Sequence, residues 1–395
     1  MATRVFCIIL DGLGVGDLPD SRDFGDEGCN TLAHVAASAG GLHLPCMEGM
    51  GLGRIQPFAG MNAEIPVTGF HGRMAEKSMG KDSTTGHWEL AGLQTPKPFP
   101  LFPDGFPDLL LKDLSERTGY EFIGNEAASG TEIIQRLGDR HVRTGKLIVY
   151  TSADSVFQVA AHEDIVPLDY LYEFCEKVRD LLTGEFAVSR VIARPFHGES
   201  GSYQRSDGRH DYSLSPSGPT LLDRLLDGGV PVTGVGKVKD LFAGRGFSSH
   251  MTSHGNREGM TAFQSLLGKK LSRAFNIVNL VDFDMLWGHR NDPEGYAQGL
   301  VDFDRWLTGF VGKLSEGDIL FITADHGNDP TTQGTDHSRE YVPIFGWGPG
   351  MRQGLDLGKR ETFADFAETV LDLFDLAPLE TGKSFWPELK GSLNG

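Results

Sequence analysis

Three short apolar runs, each followed by an acidic residue, constrain the fold of this chain more than any other feature. The runs and their acids are residues 5–10 with Asp11, 276–281 with Asp284, and 318–323 with Asp325. Continuous apolar runs of this length are typical of strands that are buried on both faces of a parallel sheet. Because the carboxyl ends of such strands meet at one edge, we expect the acids to converge there. The sequence therefore predicts an α/β fold with its chemistry at that edge.

Alternation of strand and helix continues around these runs. A helix is predicted near residues 30–39, and the pattern resumes after residue 219. The later helices are predicted at 219–226, 259–267 and 293–314, with a further strand at 230–235 and a final helix capped by Thr362. A threonine hydroxyl at that position can accept the first free N–H groups of the helix. These elements predict a mainly parallel central sheet that is flanked by helices.

A change in the sequence pattern after residue 98 predicts an inserted domain. The stretch 99–107 is rich in proline, which is typical of a crossing between domains. A separate α+β series follows, with helices predicted at 108–118 and 168–182 and strands at 146–151 and 186–193. We therefore expect a core domain built from residues 1–98 and 217–395, and a smaller α+β cap domain at residues 99–216.

The composition excludes several classes of partner. The formal net charge of −18 argues against nucleic acid and against an anionic membrane surface. It does not exclude a phosphorylated substrate, because bound cations invert the local field. The sequence has no apolar stretch of transmembrane length. None of the four cysteines forms a CxxC pair, so we expect reduced thiols and a cytoplasmic location.

Histidines accompany the acids and predict a metal site. His289 lies five residues after Asp284, His326 is adjacent to Asp325, and His337 follows eleven residues later. A lone histidine is more often a surface or core residue, but this local density is unusual. Converging acids would repel one another by roughly 4 kcal/mol per close pair at an effective dielectric near 20, and cations remove that penalty. Carboxylate and imidazole ligands without thiolate suit Mn²⁺ or Zn²⁺, and several hard oxygens favour Mn²⁺.

The glycine-rich stretch after the first strand invites comparison with a dinucleotide-binding loop. In Gly12-Leu-Gly-Val-Gly16 the third glycine of that fingerprint would fall at Asp17, or at Pro19 in the shifted frame. An acid at Asp11 would also repel a pyrophosphate. The better interpretation is that Asp11 binds metal and that the glycines let the backbone crowd the site.

A second loop supplies a possible nucleophile. Gly80-Lys-Asp-Ser-Thr-Thr-Gly86 is not a Walker A motif, because Lys81 is followed by an aspartate. Three consecutive hydroxyls precede a predicted helix, whose N-terminal dipole and free N–H groups favour a phosphate. An ordinary helix cap is the alternative. Two cations about 4 Å apart would form a clamp for in-line phosphoryl transfer, which favours the catalytic interpretation.

Matching motifs extend across the whole chain. They include residues 10–16, 80–89, 128–133, 150–155, 191–196, 209–212, 279–284, 288–290, 323–330, 334–337 and 341–343. On these segments the chain resembles the phosphopentomutases, a family of the alkaline phosphatase superfamily. The resemblance implies an alkaline phosphatase-like core and the interconversion of ribose or deoxyribose 1-phosphate and 5-phosphate. It further implies two Mn²⁺ ions, a sugar bisphosphate as activator, and a phosphorylated hydroxyl that passes its phosphate through a pentose 1,5-bisphosphate.

The resemblance also implies roles for particular residues. One ion would take Asp11, Asp325 and His326, and the other would take Asp284, His289 and His337. The family nucleophile, commonly threonine, is Ser83 here, which keeps the oxygen and loses only the methyl that stiffens χ1. A shift of register would promote Thr84 or Thr85 instead.

Candidates for holding the sugar and its distal phosphate come from both domains. They are Ser152, Asp154, Arg190, Arg205 and Arg209 in the cap and Lys237 in the core. Arginine suits bidentate contact with phosphate. His162 and His210 are further candidates, for which polar packing is an equal alternative.

Three rival functions remain open at this point. A metal-dependent phosphatase or a phosphoglycerate mutase of the same superfamily would use the same metals and nucleophile. A non-catalytic metal-stabilised binding protein would leave the Ser-Thr-Thr loop unexplained. The expected partner is a small pentose phosphate, and the oligomeric state stays open, with a monomer favoured.

Overall fold

A computed structural model describes residues 3–152, 154–269 and 271–390. The chain divides into two compact units. The larger unit contains the described residues up to Lys97 and those from Pro216 onward, and the smaller unit is Pro98–Ser215. Residues 391–395 of the expected second core segment lie outside the described residues.

The strands are given in chain order. They are β1 (Thr3–Leu10), β2 (Phe70–Met74), β3 (Phe122–Ala127), β4 (Leu147–Thr151), β5 (Val156–His162), β6 (Arg190–His197), β7 (Gln204–Arg205), β8 (His210–Ser213), β9 (Val232–Val235), β10 (Ser249–Met251), β11 (Arg273–Leu280), β12 (Asp318–Thr323), β13 (Val342–Trp347) and β14 (Leu355–Arg360).

The α-helices follow the same order. They are α1 (Thr31–Ser38), α2 (Pro45–Gly49), α3 (Leu52–Ile55), α4 (Ser83–Leu90), α5 (Asp108–Thr118), α6 (Gly130–Thr144), α7 (Leu168–Leu181), α8 (Leu221–Asp227), α9 (Val238–Leu241), α10 (Asn256–Ser265), α11 (Pro293–Val311), α12 (Ala364–Leu373) and α13 (Trp386–Leu389). Short 3₁₀ turns lie at Ser21–Phe24, Gly184–Phe186, Leu266–Gly268 and Gly288–Arg290, and Phe283–Trp287 forms one π-helical turn.

The described part of the larger unit is built on an eight-stranded sheet. Its order is β10-β9-β11-β1-β12-β13-β2-β14. All neighbours from β10 to β12 are parallel, whereas β13 is antiparallel to both of its neighbours. Strand β14 runs parallel to β2. The expected α/β class with a mainly parallel central sheet is confirmed.

Helices cover both faces of this sheet and explain why β1 is apolar from Val5 to Leu10. Phe6 of β1 contacts Phe263 of α10 and Phe310 of α11 on one face. On the opposite face, Phe275 and Phe321 of the neighbouring strands contact Phe366 of α12. A strand that is covered on both sides has no solvent-facing positions, so every residue from position 5 to 10 is fully buried.

The smaller unit has its own mixed sheet. Its order is β3-β4-β5-β6-β7, with β8 pairing with β6 on the same side as β7 in the antiparallel sense. Helices α5 and α7 bury one face, where Phe157 and Val191 pack in a cluster with Phe174. Helix α6 covers part of the other face, where Ile133 packs in a second cluster that contains Tyr150. In the described ranges, no helix of either unit is both long and apolar enough for a membrane span.

Two local predictions are wrong. The strand expected at 186–193 begins only at Arg190, because residues Gly184–Phe186 form a 3₁₀ turn and Phe186 packs into the core. Thr362 is not the cap residue of the helix that was expected to follow it, α12, since Phe363 occupies that position, and α12 is followed by the short helix α13. The Thr362 hydroxyl still accepts the N–H of Ala364, at 3.1 Å, and itself donates to Glu89, at 2.6 Å.

Candidate metal centre and nucleophile

The carboxyl ends of three neighbouring parallel strands bring the expected metal ligands together. Asp11 follows β1 directly, Asp325 lies two residues after β12, and Asp284 lies in the π-helical turn that follows β11. The ligand atoms of Asp11, Asp325 and His326 lie within 4.8 Å of one another. Those of Asp284, His326 and His337 do the same, so the His326 imidazole belongs to both groups.

His289 lies at the margin of these two groups. Its Nε2 is 3.2 Å from Asp284 Oδ2, whereas His337 Nε2 is 3.3 Å from the other oxygen, Oδ1. The Nδ1 of His289 is 2.6 Å from the carbonyl oxygen of Thr335. Because a carbonyl can only accept, Nδ1 carries the proton there. This contact directs Nε2 of His289 at Asp284.

The buried acids and imidazoles perturb one another strongly. Burial opposes the charged form of every group, but Asp325, Asp11 and Asp284 together raise the pKa of His326 to about 10. Burial likewise opposes the charge of His289, and Asp284 nevertheless raises its pKa to about 9. Against the cost of burial, the adjacent histidines hold the pKa of Asp284 well below its ordinary value. Positive charge is therefore required wherever these carboxylates are buried.

The donor set fits divalent cations. Asp11 Oδ1 and His337 Nε2 are buried, and neither forms a well-directed hydrogen bond with any described residue. Carboxylate oxygens and imidazole nitrogens at this spacing, without a thiolate, match the ligands of Mn²⁺ and Zn²⁺ sites.

The expected nucleophile stands beside this centre. Ser83 is the first residue of α4, and its Oγ lies 3.2 Å from His326 Nε2. Lys237, which follows β9, donates from Nζ to Ser83 Oγ at 3.1 Å and contacts Asp11 Oδ2 at 2.5 Å. Burial opposes the charge of Lys237, but Asp11 and the other two carboxylates raise its pKa. The structure thus places Lys237 among the metal-ligand residues.

The neighbouring hydroxyls do not share this environment. Asp82, rather than a hydroxyl residue, caps α4, since its carboxylate accepts the N–H of Thr85 at 3.1 Å. The Thr85 hydroxyl donates to the same carboxylate at 2.6 Å. Thr84 is buried in the first turn. Of the three consecutive hydroxyls, Ser83 is the one that contacts both His326 and Lys237.

The glycine-rich loop after β1 encloses a carboxylate of the protein itself. Glu340 accepts the N–H of Gly16 at 3.1 Å and that of Thr31 at 3.0 Å, together with the hydroxyls of Thr31 and Ser338 at 2.7 Å. A Cβ at Gly14 would overlap the Glu340 carboxylate. Burial raises the pKa of Glu340 to about 7. The loop therefore has no room for a pyrophosphate, in agreement with its spacing.

Three further residues near the centre were not predicted. Asn328 donates from Nδ2 to Asp284 Oδ1 at 2.7 Å and so fixes the orientation of that carboxylate. Arg339 is buried and donates to the Glu76 carboxylate at 2.8 Å and to the carbonyl of Gly80 at 2.6 Å. Arg339 thereby joins the His337 segment to the loop that precedes Ser83. His87 contacts both Ser83 and Asp325.

The smaller unit gathers the predicted arginines on one side of its sheet. Arg209 forms a bidentate pair with Asp211 at 2.7 Å, and Arg190 lies 3.4 Å from the same carboxylate. Arg190 also lies 3.6 Å from Asp154, which is exposed. Arg205 on β7 points its guanidinium toward the edge of α6 at Gly130. Two arginines thus share the Asp211 carboxylate, and with Arg205 the predicted arginines outnumber the two carboxylates Asp211 and Asp154.

The smaller unit also contains an arginine that was not predicted and the remaining candidate residues. Arg194 of β6 was not predicted. Burial first, and then the charges of Arg209 and Arg205, lower the pKa of its guanidinium, so Arg194 belongs to the same cluster. Ser152 is half-buried just after β4. His162 binds the carbonyl of Gly198 at 3.0 Å through Nε2 and packs against Phe196. His210 lies against the rings of Tyr172 and Tyr212. Both histidines therefore make contacts within this unit.

Comparison with known proteins identifies close relatives. Residues 3–378 match the Metalloenzyme superfamily. A phosphopentomutase of Carboxydothermus hydrogenoformans is 52% identical over 98% of this chain and 99% of its own length. A phosphopentomutase of Caldanaerobacter subterraneus subsp. tengcongensis is 51% identical over 98% of both chains. The solved structure of the PH0037 protein from Pyrococcus horikoshii superimposes with a TM-score of 0.49 at 18% identity, covering 95% of this chain and 98% of the other.

Proposed function

This chain belongs to the phosphopentomutase family of metalloenzymes and is an isomerase, and we propose that it interconverts ribose or deoxyribose 1-phosphate and the corresponding 5-phosphate. The observation that carries the proposal is the position of Ser83 Oγ, 3.2 Å from the imidazole that both ligand groups share. A hydroxyl at that point can receive and return a phosphoryl group beside paired cations.

We propose two Mn²⁺ ions as the cofactors. Asp11, Asp325 and His326 would hold one, and Asp284, His289 and His337 would hold the other. Bound there, the cations would offset the negative charge of the phosphoryl oxygens and favour ionisation of the Ser83 hydroxyl. Asp11, Asp325 and His326 lie just beyond the ends of β1 and β12, so little reorganisation of these side chains is needed on binding.

The proposed transfer of the phosphoryl group has two steps. Phosphorylated Ser83 gives its phosphoryl group to the free hydroxyl of a pentose phosphate. The bond between Oγ and phosphorus breaks, a new sugar oxygen–phosphorus bond forms, and the hydroxyl proton goes to Ser83. The resulting pentose 1,5-bisphosphate then returns its other phosphoryl group to Ser83, and the departing sugar oxygen takes the proton. A sugar bisphosphate would charge enzyme that has lost its phosphate.

We propose that Lys237 stabilises the phosphoryl group in transfer. Its ammonium lies 3.1 Å from Ser83 Oγ and keeps its charge because Asp11 is adjacent. It can therefore contact oxygen atoms that gain charge as the phosphoryl group moves.

The positive face of the smaller unit supports binding of a sugar phosphate. We propose that Arg190, Arg205 and Arg209 bind phosphate oxygens, and that Ser152 and Asp154 bind sugar hydroxyls. Planar guanidinium groups form paired hydrogen bonds with phosphate, which a single ammonium does not. The Arg209–Asp211 pair pre-orients one guanidinium before the ligand arrives.

The cysteines support a cellular location, and the charged groups support a class of partner. Cys7, Cys29, Cys46 and Cys175 are free thiols, which supports a reducing compartment such as the cytoplasm. We propose a small pentose phosphate as the partner, because the metal-ligand set suits phosphoryl transfer and the positive face of the smaller unit, taken by itself, suits a phosphate. We propose that the enzyme acts as a monomer.

Phosphorus NMR tests the proposal directly. Purified protein with Mn²⁺, a trace of sugar bisphosphate and ribose 1-phosphate should form ribose 5-phosphate while total organic phosphate stays constant. Release of inorganic phosphate would instead identify a phosphatase, and turnover of phosphoglycerate but not of the pentose would identify a phosphoglycerate mutase. Full activity after thorough chelation would contradict the metal-dependent mechanism.

A further inference from the structure

His87 occupies a junction between the nucleophile helix and a metal-ligand residue. It lies one turn after Ser83 in α4 and is buried. Its Nδ1 lies 2.8 Å from the carbonyl oxygen of Ser83 and 3.0 Å from Asp325 Oδ2. Its Nε2 lies 3.3 Å from Nδ2 of Asn279, near the end of β11. One imidazole thus contacts the helix that carries the nucleophile and two strand ends.

The chemistry of these contacts fixes the proton on Nδ1. Both atoms near Nδ1 are oxygens that can only accept, so an unprotonated Nδ1 would present a lone pair to two acceptors. The hydrogen bond is directed at Ser83, since Asp325 Oδ2 receives no well-directed hydrogen bond from a described residue. The negative charge of the Asp325 carboxylate then keeps Oδ2 next to the same N–H group of His87.

The helix and the strand end also meet through their backbones. A Cβ at Gly86 would overlap the carbonyl oxygen of Asp325, so only glycine permits this approach. The other oxygen of Asp325, Oδ1, accepts the N–H of Gly12 at 3.2 Å. Both carboxylate oxygens are therefore located by protein contacts, one from the glycine loop and one from His87.

We propose that His87 is a positioning residue, which sets the distance between the Ser83 oxygen and Oδ2 of Asp325. The inference deepens the proposed function and rests on it for the role of Ser83. Without the Nδ1–H group, Asp325 Oδ2 loses its nearest described donor, and the contact between α4 and Asp325 is left to the backbone packing at Gly86. Groups that orient metal ligands in this way typically change metal affinity about 10–100-fold when removed.

Two substitutions separate this role from simple packing. His87→Asn keeps an amide N–H on Cγ, where histidine carries Nδ1, whereas His87→Gln moves the amide one bond outward, toward the position of Nε2. We expect His87→Gln to bind Mn²⁺ about 10–100-fold more weakly than the unchanged protein in calorimetry. His87→Asn should bind at least tenfold more tightly than His87→Gln. The same order is expected in kcat, with KM nearly constant.

Equal affinities for the two variants, or tighter binding by His87→Gln, would overturn the proposal and leave only a packing role. NMR of the unchanged, cation-free protein labelled with ¹⁵N-histidine does not depend on either variant folding. We expect a protonated Nδ1 at His87, and a neutral ring with its proton on Nε2 would overturn the proposal. The Mn²⁺ affinities need no substrate, so absence of isomerase activity in the unchanged protein would contradict the proposed function and not this inference.

Discussion

The two units of this protein hold their charges in opposite ways. In the larger unit, Asp11 and Asp325 are fully buried and depend on adjacent cationic groups. In the smaller unit, Arg209 and Arg190 remain partly exposed around the single carboxylate of Asp211. Water screens the second set and cannot reach the first. On this difference we propose that the buried set performs chemistry and that the exposed set performs recognition.

The two sets also differ in how they are built. The buried set lies at strand ends, where rigid elements fix each ligand. The arginines of the exposed set come from strands β6 and β7 and from the loop before β8, with Asp211 on β8 between them. Substitutions in the buried set should therefore change metal content and kcat, and substitutions in the exposed set should change KM.

Removal of the nucleophile should have the largest effect. In Ser83→Ala the oxygen that receives the phosphoryl group is absent, so we expect kcat to fall by at least about 10⁴-fold, since loss of a covalent nucleophile commonly costs that much or more. Ser83→Thr is the matched control, because it keeps the hydroxyl. Isomerase activity above about 1% in Ser83→Ala would contradict the proposed role.

Removal of one buried carboxylate should come next. Asp284 contacts both His289 and His337, so Asp284→Asn should weaken Mn²⁺ binding at one of the two proposed sites by at least about 100-fold. Elemental analysis of dialysed protein should show the metal content falling from two ions to one. Asp302→Asn, at an exposed ion pair with Arg305, should leave the content unchanged. Two retained ions in Asp284→Asn would refute the assignment.

The pH dependence of metal binding tests the same region without substitution. In the cation-free protein the pKa of His289 is about 9 and that of His326 about 10, so both rings hold protons at neutral pH. Cation binding must displace these protons, and Mn²⁺ affinity should therefore rise with pH by about tenfold per unit for each proton released.

Calorimetry in buffers of different ionisation enthalpy would count the protons released. The stability of the cation-free fold changes with pH in the opposite direction. Because the pKa of each histidine is raised in the fold, protonation of these rings stabilises the fold fully below about pH 6.5. That stabilisation is lost as pH rises through about 9 and then about 10. Mn²⁺ affinity that did not change between neutral and alkaline pH would contradict this account of the buried set.

Substitutions in the exposed set should have the smallest effect. Arg209→Gln removes a charged bidentate donor, and we expect KM to rise about tenfold with kcat changed less, since hydrogen bonds to charged groups contribute about 1.5–3 kcal/mol. Arg209→Lys should lose part of this binding, because an ammonium lacks the planar fork. Arg117→Gln, at an exposed pair on α5, is the control. A fall in kcat with constant KM would place Arg209 in the chemistry instead.

The sequence was most informative about the residues whose position is determined by buried apolar strands. The runs that became β1, β11 and β12 are buried on both faces, so their pattern identified the strands and the edge where Asp11, Asp284 and Asp325 meet. The strands β2, β13 and β14 were not predicted. Their pairing is partly antiparallel and depends on partners far along the chain, which a local pattern does not record.

The supporting contacts of the site could not be predicted for a related reason. Glu340 contacts Thr31 across more than 300 positions, and Arg339 contacts Gly80 across more than 250. His87 stands within a motif that the family shares, but its contact with Asp325 exists only after α4 packs against the segment that follows β12. Such contacts follow from tertiary packing, and one sequence shows only that polar residues are present.

Mass mapping of the phosphorylated enzyme tests the central claim most directly. The protein would be incubated with a sugar bisphosphate and Mn²⁺, trapped by rapid denaturation, digested and sequenced by tandem mass spectrometry. The account predicts a single covalent phosphate on Ser83 that acquires the label when isotope-labelled ribose 5-phosphate is added before trapping, because each cycle returns the other phosphoryl group to Ser83. Phosphate on Thr84 or Thr85, or no phosphate at all in an enzyme that is active with pentose phosphates, would contradict it.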